Sequence, residues 1–140
     1  MLEVFKYFPR LLEGTWITIQ LTIVAIIFGV ILGLILALGR LSKNSVINKL
    51  SWLYIWFFRG TPLLMQLFFI YYAFPLFFDP PLNYSAWLAC YIAFSLNSAA
   101  YLAEIIRAAI QSIDKGQMEA AKALGMSYGQ AMRMIIVPQS

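Results

Sequence analysis

Glu119 opens a polar stretch, EAAKALGMSYGQAMRMIIVP (residues 119–138), in which one carboxylate stands beside small side chains and a glycine. A lone carboxylate with no partner base in the stretch is not a set for bond breaking. Six acids, no histidine and the single Cys90 supply neither a nucleophile–base pair nor paired carboxylates, so an enzyme reading is poor. The same counts exclude a histidine-based metal site, a Cys-pair site and an internal disulfide. No G-x-x-x-x-G-K-[ST] phosphate loop occurs, so the chain lacks the usual cradle for nucleotide phosphates and any energy supply must come from another chain. No cofactor is implied.

The elements that position these residues are set by composition. With 62% of residues hydrophobic and 11% charged, the chain reads as an integral membrane protein in a lipid bilayer. Its net charge of +4 is scattered between apolar spans and forms no face for nucleic acid. A helix crosses the hydrocarbon core with about 20 apolar residues. Three stretches meet that length, at about 14–39, 60–78 and 85–106. The first is uncharged from Gly14 to Gly39 and far longer than the apolar region of a signal peptide. The aromatic run WLYIWFF precedes the second, as suits a membrane interface, and Pro62 and Pro75 bracket that span and predict a bent or broken helix. Arg40, Lys43 and Lys49 follow the first span with no acid among them, whereas FDPPLNYS after the second holds only Asp79. The positive-inside rule therefore puts the amino terminus outside and residues 107–138 in the cytoplasm.

Few polar groups lie within the spans. Gln66, Ser95, Asn97 and Ser98 read first as helix-to-helix hydrogen-bonding groups; Gln66, Asn97 and Ser98 are also candidates for contact with a solute, Asn97 foremost. Gly29, Gly33 and Ala37 form a small-residue stripe at helical spacing that lets backbones pack closely. No acid or base falls in the middle of a span, which argues against a proton-coupled carrier. Arg59 and Glu104 adjoin the spans at matching depth. Arg59 can simply reach to the interface, and Glu104 can pair with Arg107 at i, i+3. The sharper alternative is an Arg59–Glu104 pair between spans acting as an inner gate.

The last stretch divides by its own chemistry. Asp114 with Gln117 resembles a capping box that starts a helix, and Gly125 can take the left-handed conformation that ends one. Ser127 with Gln130 repeats the capping pattern and opens a second helix, until Pro138 interrupts it or begins the next element. From pattern alone this helix-turn-helix is either a connector lying on the membrane surface or a docking element.

Residue-by-residue agreement with the cytoplasmic signature of ABC importer permeases, E-A-A-x3-G-x9-I-x-L-P, favours docking. Glu119, Ala120, Ala121, Gly125, Ile135 and Pro138 fall at those spacings, with Val137 in place of the leucine. GTWITIQLT, FRGTPLLMQLFFIYY and SLNSAAYLAEIIRAAIQSIDKGQMEAAKALGMS further resemble the polar amino acid permease branch of that family. Ala109 stands where glycine is frequent there, and Asp114 where proline is frequent.

The resemblance implies an all-α fold: polytopic transmembrane helices, three spans in this chain, followed by a cytoplasmic helix-turn-helix coupling segment at about 114–137. Residues 1–140 would form a partial transmembrane permease domain, truncated at the carboxy terminus where members of the family enter further spans. In such importers two permease chains, identical or related, form the pathway, two cytoplasmic ATP-binding subunits supply energy, and an extracytoplasmic solute-binding protein delivers the solute. The location implied is a bacterial-type inner membrane. Gln117, Glu119, Ala120, Ala121 and Gly125 would make the coupling contact, Glu119 as an anchor and the alanines by permitting close approach. The competing reading is a membrane scaffold or channel subunit that transports nothing against a gradient.

Overall fold

The structure is a computed structural model that describes residues 2–140, with side chains from Tyr7 onward. Every regular element among the described residues is helical. Helix α1, Leu2–Arg40, carries the uncharged apolar run and ends in the basic Arg40. Helix α2, Ser45–Gly60, starts where the Asn44 side chain accepts from the amides of Val46 and Ile47, at 2.9 and 3.4 Å. It stops for a steric reason. Thr61 precedes Pro62, whose ring disfavours helical backbone in the residue before it, and Thr61 is extended at φ −117°, ψ 143°.

Helix α3, Leu63–Phe68, then leaves at 105° to α2, so the helix break expected from the prolines falls at Pro62. It continues as a π-turn, Phe69–Ala73, and a 3₁₀ turn, Phe74–Phe77. The helical path associated with the second span thus begins at Ser45, well before the 60–78 stretch that apolarity marks out. α1 and α4, Ala86–Ser112, are each long and apolar enough to cross a membrane alone, and the bent α2–α3 pair reaches that standard only when taken together. Helix α5, Lys115–Ala123, and helix α6, Tyr128–Ala131, follow; α6 continues through a second π-turn, Met132–Ile136, into a last turn, Val137–Gln139.

The two π-turns share one cause. Each lies one residue before an X-Pro step: Phe74 N–H bonds back to Phe69 O just before Pro75, and Val137 N–H bonds back to Met132 O just before Pro138. A proline in a regular helix clashes with the carbonyl four residues back and offers no N–H, and widening the preceding turn relieves that contact. Pro138 therefore opens a new turn and does not terminate the segment.

The principal seam runs between α1 and α4 and is lined by small residues. A Cβ placed on Gly33 would lie 3.1 Å from Leu102 Cβ, 3.2 Å from Ala103 N and 3.2 Å from Ala99 O; one on Gly29 would meet Ser98 Cβ at 3.0 Å. Ala99 and Ala103, which meet that stripe, are fully buried, as are Ala37 and Ala100. Without side-chain bulk the backbones approach closely, which is how helices gain van der Waals contact where lipid supplies no hydrophobic drive. Leu36 and Ile55 close the junction with α2, and Tyr54 Oη donates to Leu96 O at 2.9 Å.

Candidate functional site

The carboxy-terminal segment is built around a small apolar platform. Ile110 of α4 packs with Met132 and Ile136, flanked by Leu41, Ile106 and Met118, so the end of α4 and both helices of the turn share one cluster. Asp114 starts α5: its Oδ1 accepts from Gly116 N–H at 2.6 Å. The reciprocal bond from Gln117 that a full capping box would need is not made, and Gln117 reaches Asp114 only through its backbone amide. Gly125, at φ +80°, ends the helix in a Schellman arrangement, with Gly125 N–H on Lys122 O at 2.9 Å and Met126 N–H on Ala121 O at 3.1 Å. The second capping box is complete: Ser127 N–H donates to Gln130 Oε1 at 2.8 Å and Gln130 N–H to Ser127 Oγ at 3.3 Å.

These caps fix which face of α5 looks outward. Gln117, Glu119 and Ala120 are exposed, whereas Ala121 is only 1% exposed. Ala121 therefore permits close approach within the chain itself, under α5, and is not part of the outward surface on which sequence grouped it with Ala120. Leu124, at the end of the helix, is 82% exposed, the largest value among the large hydrophobic residues whose side chains are described. It is absent from the residues that the sequence singles out for a coupling contact. The available signal was its position one residue before a left-handed glycine, where the chain turns away and leaves the side chain uncovered.

The intramembrane polar residues meet at the α2–α3 break. A helix end leaves its last carbonyls without intrahelical donors, and here side chains supply them. Thr61 Oγ1 donates to Phe57 O at 2.8 Å. Gln66, almost fully buried, donates through Nε2 to Phe58 O at 2.9 Å and to Thr61 O at 3.0 Å. Asn97 Nδ2 in turn donates to Gln66 Oε1 at 3.1 Å and to Phe58 O at 3.3 Å, fastening α4 to the break. The structure thus brings Gln66 and Asn97 together as a backbone staple. Ser98 lies apart from it, in the α1–α4 seam against Gly29. Asn97 and Ser98 also border a 460 Å³ cleft with Thr18 and Thr22 of α1.

Arg59 and Glu104 line one polar cleft of 400 Å³ together with Arg40, Trp52, Trp56 and Tyr101. They are not ion-paired. Glu104 is held on its own helix by Arg107, through Nε at 3.1 and 3.2 Å and Nη2 at 2.6 Å, while the Arg59 guanidinium lies 5.3 Å from the Tyr101 ring centroid. Neighbours at i, i+3 meet without any approach of helices, which is why the local pair forms here. Arg40 is tied to the start of α2: its Nη1 donates to Asn48 Oδ1, and Asn48 Nδ2 donates back to Arg40 O at 2.5 Å.

A seam of small residues, a broken second helix and a capped helix-turn-helix at one end together define a polytopic helical membrane fold. The chain belongs to the family of binding-protein-dependent transport system inner membrane components, which matches it over residues 29–140. It is 50% identical over 133 residues to a probable amino-acid permease protein, YxeN, of Bacillus subtilis (strain 168), an alignment covering 95% of this chain and 59% of the relative. It is 47% identical over 132 residues to a probable amino-acid ABC transporter permease protein, PatM, of Vibrio harveyi, covering 94% of this chain and 59% of the relative. A crystal structure of an amino acid ABC transporter with histidines superposes with a TM-score of 0.85 at 44% identity, over 99% of this chain and 63% of that one. The chain thus spans about three-fifths of the length of these relatives.

Proposed function

We propose that the chain is the membrane-spanning permease subunit of an ATP-driven importer for polar amino acids, and that α5 is the surface through which a separate ATP-hydrolysing subunit drives it. The carrying observation is the division of α5. Gln117, Glu119 and Ala120 of α5 and Leu124 at its end are exposed, while Met118 packs on the platform at the end of α4 and Ala121 is buried. A force on the outer face would therefore reach α4 through packed side chains. Closure of the ATPase can shift the pathway only by its differential affinity for the two pathway conformations, and a rigidly seated α5 provides that link. Glu119 would anchor by charge-assisted hydrogen bonding and Leu124 by burying its side chain in a groove of the partner.

The remaining parts of this reading are an extracytoplasmic solute-binding protein, a second permease chain, identical or related, and an orientation with the amino terminus outside and residues 107–138 in the cytoplasm. The basic residues of the α1–α2 loop support that orientation. The names of the relatives support amino acids as the solute class. The cleft bordered by Asn97 and Ser98 is this chain's contribution to the pathway near mid-span, and the cleft bordered by Arg59 and Glu104 its inner gate.

The test is ATPase activity of the chain reconstituted in vesicles with its ATP-binding subunit. Activity should rise only when loaded solute-binding protein is present, and Glu119→Lys or Leu124→Asp should reduce the rise tenfold or more while leaving the helical content of the permease unchanged. A rise indifferent to the binding protein would favour the scaffold or channel reading.

A further inference from the structure

A separate groove of 810 Å³ lies between the end of α1 and the carboxy-terminal segment, within the size range of ligand pockets. Leu34 and Leu38 of α1, and Leu41 just past its end, line the groove at i, i+4 and i+7. Lys43, Arg133 and Tyr128 line the same groove, and no acid lines it. Lys43 and Arg133 are exposed and neither is ion-paired with a described residue. Leu34 and Leu38 belong to the membrane-crossing part of α1, and Lys43 follows its last helical residue, Arg40, by three positions, so the groove reaches the end of that span. An apolar slot that also presents two cations without an ion-pair partner among the described residues is complementary to one kind of membrane component.

We infer that this groove holds one anionic glycerophospholipid, its phosphate between Lys43 and Arg133 and the start of an acyl chain along Leu34, Leu38 and Leu41. Basic pockets at the membrane boundary attract anionic headgroups, and each cation near the surface contributes favourably. Tyr128 can donate a hydrogen bond to a phosphate or ester oxygen. The leaflet, cytoplasmic, rests on the orientation proposed above; the site itself does not. Tyr128 and Met132 belong to the segment that follows the coupling helix, so the lipid would brace the same platform that seats α5.

The experiment is native mass spectrometry of the chain in neutral detergent, titrated with dioleoyl-phosphatidylglycerol or with dioleoyl-phosphatidylcholine. One phosphatidylglycerol should be retained in preference. Lys43→Gln with Arg133→Gln should weaken its retention on the order of tenfold or more. Lys49→Gln with Lys115→Gln, which removes equal charge outside the groove, should change it less than about threefold. Leu38→Trp, which fills the apolar wall and leaves the cations, should also displace the lipid. Equal retention of the two lipids would overturn the proposal. So would an equal loss in both charge-neutralised pairs, which would reduce the effect to general surface charge. A Leu38→Cys, Cys90→Ser variant that forms disulfide-linked dimers in high yield would assign the groove to a second copy instead. None of these outcomes bears on stimulation of the ATPase, so the two proposals fail separately.

Discussion

The Tyr84 hydroxyl donates a hydrogen bond to the carbonyl of Ile70. That carbonyl is the group for which the widened turn supplies no donor, because its partner five residues on is Pro75, which has no N–H. Tyr84 thus completes the backbone bonding of a π-turn from a loop fourteen residues away. Removing the hydroxyl leaves an unpaired carbonyl at a cost of roughly 1–3 kcal/mol. Tyr84→Phe should lower the thermal midpoint of the detergent-solubilised protein, followed by circular dichroism, whereas Tyr72→Phe, at an exposed ring outside this bond, should leave it nearly unchanged.

The staple at the α2–α3 break makes a second prediction. Gln66 bonds two backbone carbonyls and receives Asn97, so Gln66→Leu should destabilise more than Asn97→Leu. The two share Phe58 O and bond each other, and residues in one network couple by roughly 0.5–3 kcal/mol. The double variant should therefore cost less than the sum of the singles. Strict additivity in a double-mutant cycle would remove the staple from the account of the break.

Along the α1–α4 seam the tolerance for a side chain is set by backbone atoms, which cannot rotate away. Gly33→Val should lose folded protein sharply, since its Cβ alone would crowd Ala103 N and Ala99 O at 3.2 Å each and overpacking typically costs about 1–3 kcal/mol. Gly14→Val is the control, because nothing lies within 4 Å of a Cβ there. Comparable yield and stability of the two variants would contradict a seam of close backbone contact.

For the inner gate, the observed pairing changes the expected result. Arg107 holds Glu104, so a gate that closes on Arg59 requires Glu104 to exchange partners. Arg107→Gln should favour the Arg59–Glu104 contact and slow transport. Arg59→Glu with Glu104→Arg should recover uptake lost in either single reversal. Uptake of radiolabelled amino acid into vesicles reads both, and absence of recovery rejects the gate.

What sequence made legible, and what it did not, divides by the range of the interaction. The caps at Ser127 and Gln130 and the left-handed Gly125 depend on neighbours within a few residues and could be read directly. The stripe of Gly29, Gly33 and Ala37 marked a packing face, and the structure puts α4 against it. The break in the second helix was legible as a consequence of proline, but not its position, because Pro62 and Pro75 act differently: one sits after a helix end, the other after a widened turn. Three-dimensional placement was needed to see that Gln66 and Asn97 serve one carbonyl, that Glu104 stays with Arg107 instead of Arg59, and that Ala121 turns inward while Leu124 is left bare. Half of a capping box at Asp114 was overread, since Gln117 has the right residue type and spacing but does not close the bond.

The contact of Gly29 and Gly33 with the α4 backbone has a mechanical corollary. Two rods touching main chain to main chain cannot slide or roll past each other without unseating several alanines at once, so α1 and α4 travel as a single spar. The elbow at Thr61–Pro62 is tied to that spar through the Asn97 amide, which donates to Gln66 Oε1 and Phe58 O, while Ile55 and Tyr54 hold the preceding part of α2 against it. On the coupling proposed above, a stroke entering at α5 would meet α1 and α4 as one body, not as two independent helices.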